Sequence, residues 1–113
     1  DSVLIPSQAE FLAMDGLALI TGSIERIRQS VNPSLDLNGI IFTMVNSQAK
    51  LTHDVMDEGR NHFGDKVYET TIPRNVRLSE APSHGKPICA YDRLCRGAEA
   101  YDALAKEFLK KNP

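Results

Sequence analysis

The chain has 113 residues, 42% of them hydrophobic and 25% charged, with a formal net charge of −2. That is the make-up of one ordinary globular domain, able to bury roughly two-thirds of its unfolded surface around a single core, and it excludes disordered and fibrous classes. The small negative charge excludes a protein that coats nucleic acid through bulk positive charge, so any nucleic-acid contact is confined to a local patch.

In chain order, Ser2 to Pro6 (SVLIP) is a short continuous apolar run, which predicts a strand buried on both faces. From Glu10 to Val31 the residues Ala13, Leu17, Ile20, Ile24, Ile27 and Val31 recur at spacings of four and three, predicting a helix with one apolar stripe that Asn32-Pro33 stops. LNGIIFTMV (37–45) predicts a second buried strand. The polar NSQAK follows it, then a shorter helix carrying Leu51, Val55 and Phe63 that closes at Gly64. KVYETTIP (66–73) predicts a third strand, since Val67, Thr71 and Ile72 are β-formers. A polar, proline-stiffened loop comes next, within IPRNVRLSEAPSHGKPI (72–88). The last element is a helix with Ala98, Tyr101, Leu104, Ala105 and Phe108 on its apolar face, and with Lys110 and Lys111 in its final turn, where cations suit the helix dipole.

Strand, helix, strand, helix, strand, loop, helix is the pattern of an α/β fold with a parallel sheet and flanking helices, here forming one unit over residues 1–113. Ligands of such sheets sit outside the carboxyl ends of the strands, which makes PSQAE, VNSQAK and PRNVRLSEAPSHGKP the candidate site segments, all on one edge. Cys89 and Cys95 fit neither a CxxC redox pair nor a zinc knuckle and read as reduced cytosolic thiols. His53, Asp54, Asp57 and His62 read as a solvated helix face, so no metal site is assigned, and no catalytic residue. No apolar run approaches the roughly 20 residues that span a bilayer, and no basic segment precedes the first apolar stretch, so the chain reads as neither exported nor embedded.

DSVLIPSQAEFLAMDGL at the start, GIIFTM in the middle, IPRNVRLSEAPSHGKPI and RGAEAYDALAKE together resemble the C-terminal half of ParA/Soj-type chromosome- and plasmid-partitioning ATPases, from residue 1 to about residue 110. These are deviant Walker A proteins of the MinD-like superfamily. The resemblance implies the back half of a P-loop NTPase-like fold, with ATP and Mg²⁺ as cofactors of the intact protein. It implies an ATP-bound homodimer that binds non-specific DNA, a ParB-type partner that stimulates hydrolysis, and a cytoplasmic, nucleoid-associated location without a membrane. It further implies a base clamp in which Pro73, Arg74 and Asn75 pack against and hydrogen-bond adenine, with Met44 at the neighbouring strand end and Glu80 nearby. Proline and methionine would cover a purine face while Asn and backbone groups read its edge. The plain reading of the same residues is that Pro73 ends a strand and Asn75 caps a turn.

Arg77 matches a family DNA contact. A second family arginine is replaced by Gln48, with Lys50 two residues on as the other candidate DNA-facing cation. The family's KGGxGKT loop and Walker B aspartate are absent from these residues. The lone Gly85-Lys86 is followed by Pro87, so it offers neither a cradle of successive N–H groups nor an Mg²⁺-binding hydroxyl. By itself the chain is expected to hydrolyse no ATP. A second class of function is a non-enzymatic module that docks to DNA or to a full-length relative.

Overall fold

A computed structural model describes all 113 residues. Strand β1 (Ser2–Gln8) leads into helix α1 (Ala13–Ser30), strand β2 (Asp36–Thr43) and helix α2 (Lys50–Phe63). The short helices α3 (Val76–Glu80) and α4 (Ile88–Tyr91) precede the C-terminal helix α5 (Arg96–Lys111). The fold is α/β, with β1 and β2 parallel and joined through α1, as the alternation of apolar runs and helical stripes requires.

β2 is the centre of the molecule. Its continuous apolar run points both ways: Ile40 and Phe42 face Leu17, Ile24, Val55 and Met56 of α1 and α2, while Ile41 on the opposite face joins Tyr68, Ile72, Leu78 and Leu104. Ile40 and Phe42 have no exposed surface. The register runs from Ser2 opposite Asp36 to Gln8 opposite Thr43, with a slip after Val3 that leaves Asn38 without a partner on β1. The slip releases the Asn38 side chain, whose Oδ1 accepts from the Tyr68 hydroxyl at 2.7 Å and whose Nδ2 donates to Asn112 at 2.8 Å. A bulge in the sheet thereby anchors the end of α5.

The predicted third strand is present only as two parallel bridges beside β2, Ile40 to Val67 and Val45 to Pro73. Between them the chain lifts off the ladder because another acceptor takes its amides: Glu69 and Thr70 donate their N–H groups to the Glu107 carboxylate of α5 at 2.9 and 2.8 Å. Four further expectations need correction. β1 is an edge strand in which Ile5 is the one buried residue, and Pro6, lacking an N–H, is a residue that edge strands tolerate. The α1 stripe is half used, since Leu17 and Ile24 are buried but Ile20, Ile27 and Val31 stay exposed, and Leu51 of α2 is exposed as well. Both follow from a sheet two strands wide, which offers too little surface to cover the whole stripe. On α5, Ala98 is buried and Leu104 packs inward, while Tyr101, Ala105 and Phe108 are exposed. Finally, the segment 74–88 is mostly helical: α3 runs on into a 3₁₀ turn at Ala81–His84, which a left-handed Gly85 (φ 65°) terminates.

Two expected outcomes test this packing. Burial pushes the Glu107 carboxyl up, but the hydrogen bonds from Thr70 and Glu69 and the charge of Lys111 outweigh it, and its pKa lies below the ordinary 4.5. A lowered native pKa means that its stabilisation is fully present above pH 4.5 and is lost as the pH falls through the native value. Glu107→Gln should cost about 1–3 kcal/mol at pH 7 and flatten the fall in stability below pH 5, measured by urea unfolding across pH. At Gly39 a Cβ would sit 2.8 Å from the Lys66 carbonyl oxygen and collide with the buried Tyr68 ring. Gly39→Ala should lower the urea midpoint by the equivalent of about 1–3 kcal/mol with an unchanged m-value.

Candidate functional site

The chain leaves β2 by an unusual step. Ile72 donates to the Phe42 carbonyl at 2.9 Å, Val45 donates to Ile72 at 3.0 Å and Arg74 donates to Val45 at 3.2 Å, so Thr43 and Met44 bow out between two bonded positions. Met44 makes the turn with a φ of 51°, in the left-handed region that a side chain occupies at a cost of about 1–2 kcal/mol. Its side chain is left 40% exposed. A groove of about 700 Å³ opens beside it, lined by Met44, Pro73, Arg74, Asn75, Val76 and Tyr101 among others.

Four of the five residues read from the sequence as a base clamp, Met44, Pro73, Arg74 and Asn75, therefore meet in one groove at the carboxyl end of β2. Asn75 also caps α3, its Oδ1 accepting from the Arg77 N–H at 2.9 Å from an extended backbone. With that oxygen engaged, the two Nδ2 hydrogens are what Asn75 has left for a ligand. Arg74 reaches across the mouth, its guanidinium 3.7 Å from Glu10 beyond the end of β1, where both side chains are solvated.

Glu80 is placed elsewhere. Its Oε1 lies 3.3 Å from the Arg77 guanidinium and 3.3 Å from the Tyr91 hydroxyl, on the other side of α3. Arg77 is held twice, by Glu80 and by Asp92 at 3.3 Å, and its pKa is raised further by the hydrogen bond with Tyr91 and then by the two carboxylates. Lys50 is the exposed first residue of α2 and makes no ion pair. Just ahead of it, Asn46 accepts from the Gln48 N–H at 3.1 Å, and the His53 ring nitrogen lies 2.6 Å from the Ser47 carbonyl, so the β2–α2 loop is pinned by its own side chains.

Sequence reasoning missed Tyr101 and Val76 as groove residues. Tyr101 lies on the apolar stripe of α5, and a stripe alone does not tell a core position from one that opens onto a groove. Asp92 and Tyr91 were missed because their partner lies on a different element, fourteen or so positions away. A second groove of about 520 Å³ follows the open edge of β1 and takes in Ile5, Pro6, Phe11, Leu12 and Ile20. No helix is long and apolar enough to cross a membrane.

A family model described as the CobQ/CobB/MinD/ParA nucleotide binding domain matches residues 3–88. The chain is 48% identical over 111 residues to the chromosome partitioning protein ParA of Caulobacter vibrioides (strain NA1000 / CB15N), covering 98% of this chain and 42% of that protein. It is 49% identical over 107 residues to the sporulation initiation inhibitor protein Soj of Bacillus subtilis (strain 168), covering 95% and 42%. With the chromosome-partitioning ATPase Soj of Treponema pallidum (strain Nichols) it shares 45% over 112 residues, covering 99% and 44%. The chain thus spans less than half the length of these relatives. Among solved structures, cobyrinic acid a,c-diamide synthase from Mycobacterium smegmatis superposes with a TM-score of 0.70 at 26% identity, over 96% of this chain and 38% of that one. The same enzyme with bound ADP and magnesium gives 0.67, over 96% and 37%. The chain belongs to the CobQ/CobB/MinD/ParA nucleotide-binding family, and within it is similar over nearly its whole length to part of the ParA and Soj proteins.

Proposed function

We propose that this chain is the C-terminal, base-holding portion of a ParA-type ATPase that works in chromosome or plasmid partitioning. The observation that carries the proposal is the convergence of Met44, Pro73, Arg74 and Asn75 on one strand-end groove in a chain of this family. The lining suits the base of ATP: Met44, Pro73 and Tyr101 offer flat apolar contact, and the Asn75 amide is free to donate to a ring nitrogen or carbonyl. A structural neighbour that holds ADP and magnesium supports the same reading. The chemistry of the bound cofactor is transfer of its terminal phosphoryl group to water with Mg²⁺ neutralising the developing charge, and the groups for that lie outside these residues. What this chain contributes is orientation: a groove that selects a base by shape and fixes the nucleotide's distal end.

The remainder of the proposal follows the ParA/Soj relationship. The intact protein acts as an ATP-bound homodimer in the cytoplasm, binds non-specific DNA of the nucleoid through the edge that carries Lys50 and α3, and is stimulated by a ParB-type partner. Relatives carrying chromosome-partitioning names support this assignment.

The test is nucleotide binding in the intact protein. Asn75→Ala, which removes both the cap and the free amide, should weaken ATP binding about tenfold, equal to about 1.4 kcal/mol, by titration calorimetry. The 113-residue chain alone should show no Mg²⁺-dependent turnover, whereas the intact protein should hydrolyse ATP in a phosphate-release assay. Turnover by the isolated chain, or unaltered ATP affinity in both Asn75→Ala and Met44→Ser, would overturn the assignment.

A further inference from the structure

The segment that leads from α2 to the groove is longer than the ladder beside it. Tyr68 donates to the Ile40 carbonyl at 2.8 Å, and the next bond from this segment to β2 runs from Ile72 to the Phe42 carbonyl at 2.9 Å. A regular parallel pair advances equally on both strands, so the Phe42 carbonyl, two residues beyond Ile40, is the regular partner of Thr70. Thr70 is bonded away from β2 instead, and its N–H, like that of Glu69, is held by the Glu107 carboxylate. The segment is therefore two residues out of regular register at Phe42. β2 absorbs one of them by bowing out at Met44, after which Val45 bridges to Pro73 at the edge of the groove.

Side-chain alternation by itself permits the regular pairing, because a shift of two residues keeps every side chain on its own face, whereas a shift of one does not. Thr70 would then stand where Ile72 stands. Each later residue would move roughly 6.6 Å along β2, two steps of about 3.3 Å, which carries Pro73 and Asn75 past the groove. Two things oppose that shift: the burial of Ile72 beside Ile41 and Tyr68, and the hold of Glu107 on the two amides. Glu107 is built for the hold. Its side chain is only 15% exposed, and each carboxylate oxygen accepts from one amide. Its helix is fixed at the same end, since Lys111 donates to the Asp65 carbonyl at 3.0 Å and Asn112 accepts from Asn38 at 2.8 Å. The acceptor is thereby kept from following the segment if it slides.

We propose that Glu107 is a positioning residue for the nucleotide: by holding Glu69 and Thr70 off the ladder it sets the register in which Pro73, Arg74 and Asn75 reach the groove, and with it the share of nucleotide affinity that comes from the base. The proposal rests on the reading of the groove as the base site of a ParA-type ATPase. Glu107 lies outside the groove lining and acts through the backbone of residues 69–75. A glutamine at this position keeps one acceptor oxygen and turns an NH₂ group toward the other amide, which is then left without a partner. That amide regains one by moving onto the Phe42 carbonyl. Alanine releases both amides.

The experiment titrates ATP and inorganic tripolyphosphate, each with Mg²⁺, into the intact protein by calorimetry, with the melting temperature measured for every variant. Tripolyphosphate lacks the nucleoside, so the ratio of the two affinities isolates what the groove contributes, while a mere loss of folded protein lowers both alike. Glu107→Ala should weaken ATP binding about tenfold and leave tripolyphosphate binding unchanged, with Glu107→Gln between it and the parent. If the alanine variant does not fold, the glutamine variant carries the same comparison. Lys111→Ala removes the neighbouring cation but neither amide bond, so it should lower the melting temperature and keep the parent's ratio. The parent's ratio in the Glu107 variants, or a ratio lowered as much by Lys111→Ala, makes Glu107 a stabilising residue alone and overturns the proposal, leaving Ile72 to hold the register. Parent protein that binds ATP no more tightly than tripolyphosphate removes the base-site reading and the inference together.

Discussion

β2 is paired along both edges, and that double pairing sets the positions of everything packed around it. Ile40 is opposite Ile5 on one side and bridged to Val67 on the other, and Phe42 is opposite Ser7 while its carbonyl accepts from Ile72. A strand bonded on both edges and covered on both faces has no slack in register, since a one-residue slip would turn Ile41 toward α1 and Phe42 toward α5. That rigidity delivers Met44 and Pro73 side by side at one end of the sheet. At the other end it holds Asn38 where it ties Tyr68 to Asn112.

Where pairing stops, other groups take over, and the site is built from those interruptions. Glu107 accepts the amides that a third strand would have given to β2, which bends the chain so that it rejoins the ladder only at Ile72, next to the bow of Met44. The C-terminal helix is thus coupled to the groove twice, through this carboxylate and through Tyr101 on the groove wall. The electrostatics on the far side of α3 follow similar logic. Arg77 joins α3 to the residue that follows α4, pairing with Glu80 on its own helix and with Asp92 beyond α4.

The apolar surface along α1 and the edge of β1 is the counterpart of this economy. Phe11, Leu12, Leu19 and Val31 are largely exposed, and Ile20 and Ile27 partly so. A two-stranded sheet cannot bury a six-position stripe, and an edge strand keeps a row of unpaired N–H and C=O groups. The chain matches less than half of each ParA and Soj relative, and a face of this kind is what further strands and helices of an α/β fold cover.

Local pattern alone carries the parallel β–α–β unit, the all-apolar character of β2 and the last helix with its terminal lysines, and long motifs carry the family. The groove was legible in part: the strand-end rule of α/β sheets marked the segment that begins at Pro73, and the family resemblance singled out Met44, Pro73, Arg74 and Asn75. The plain reading of Asn75 as a cap was legible too, and it coexists with a place in the groove because one amide has two ends. Tertiary structure alone decided which half of the α1 stripe is buried, that residues 69 and 70 leave the sheet for Glu107, and that Glu80 turns from the groove toward Arg77. Each of these depends on a partner distant in sequence, and the pairing of a charge or an amide with such a partner leaves no periodic trace in the chain that carries it.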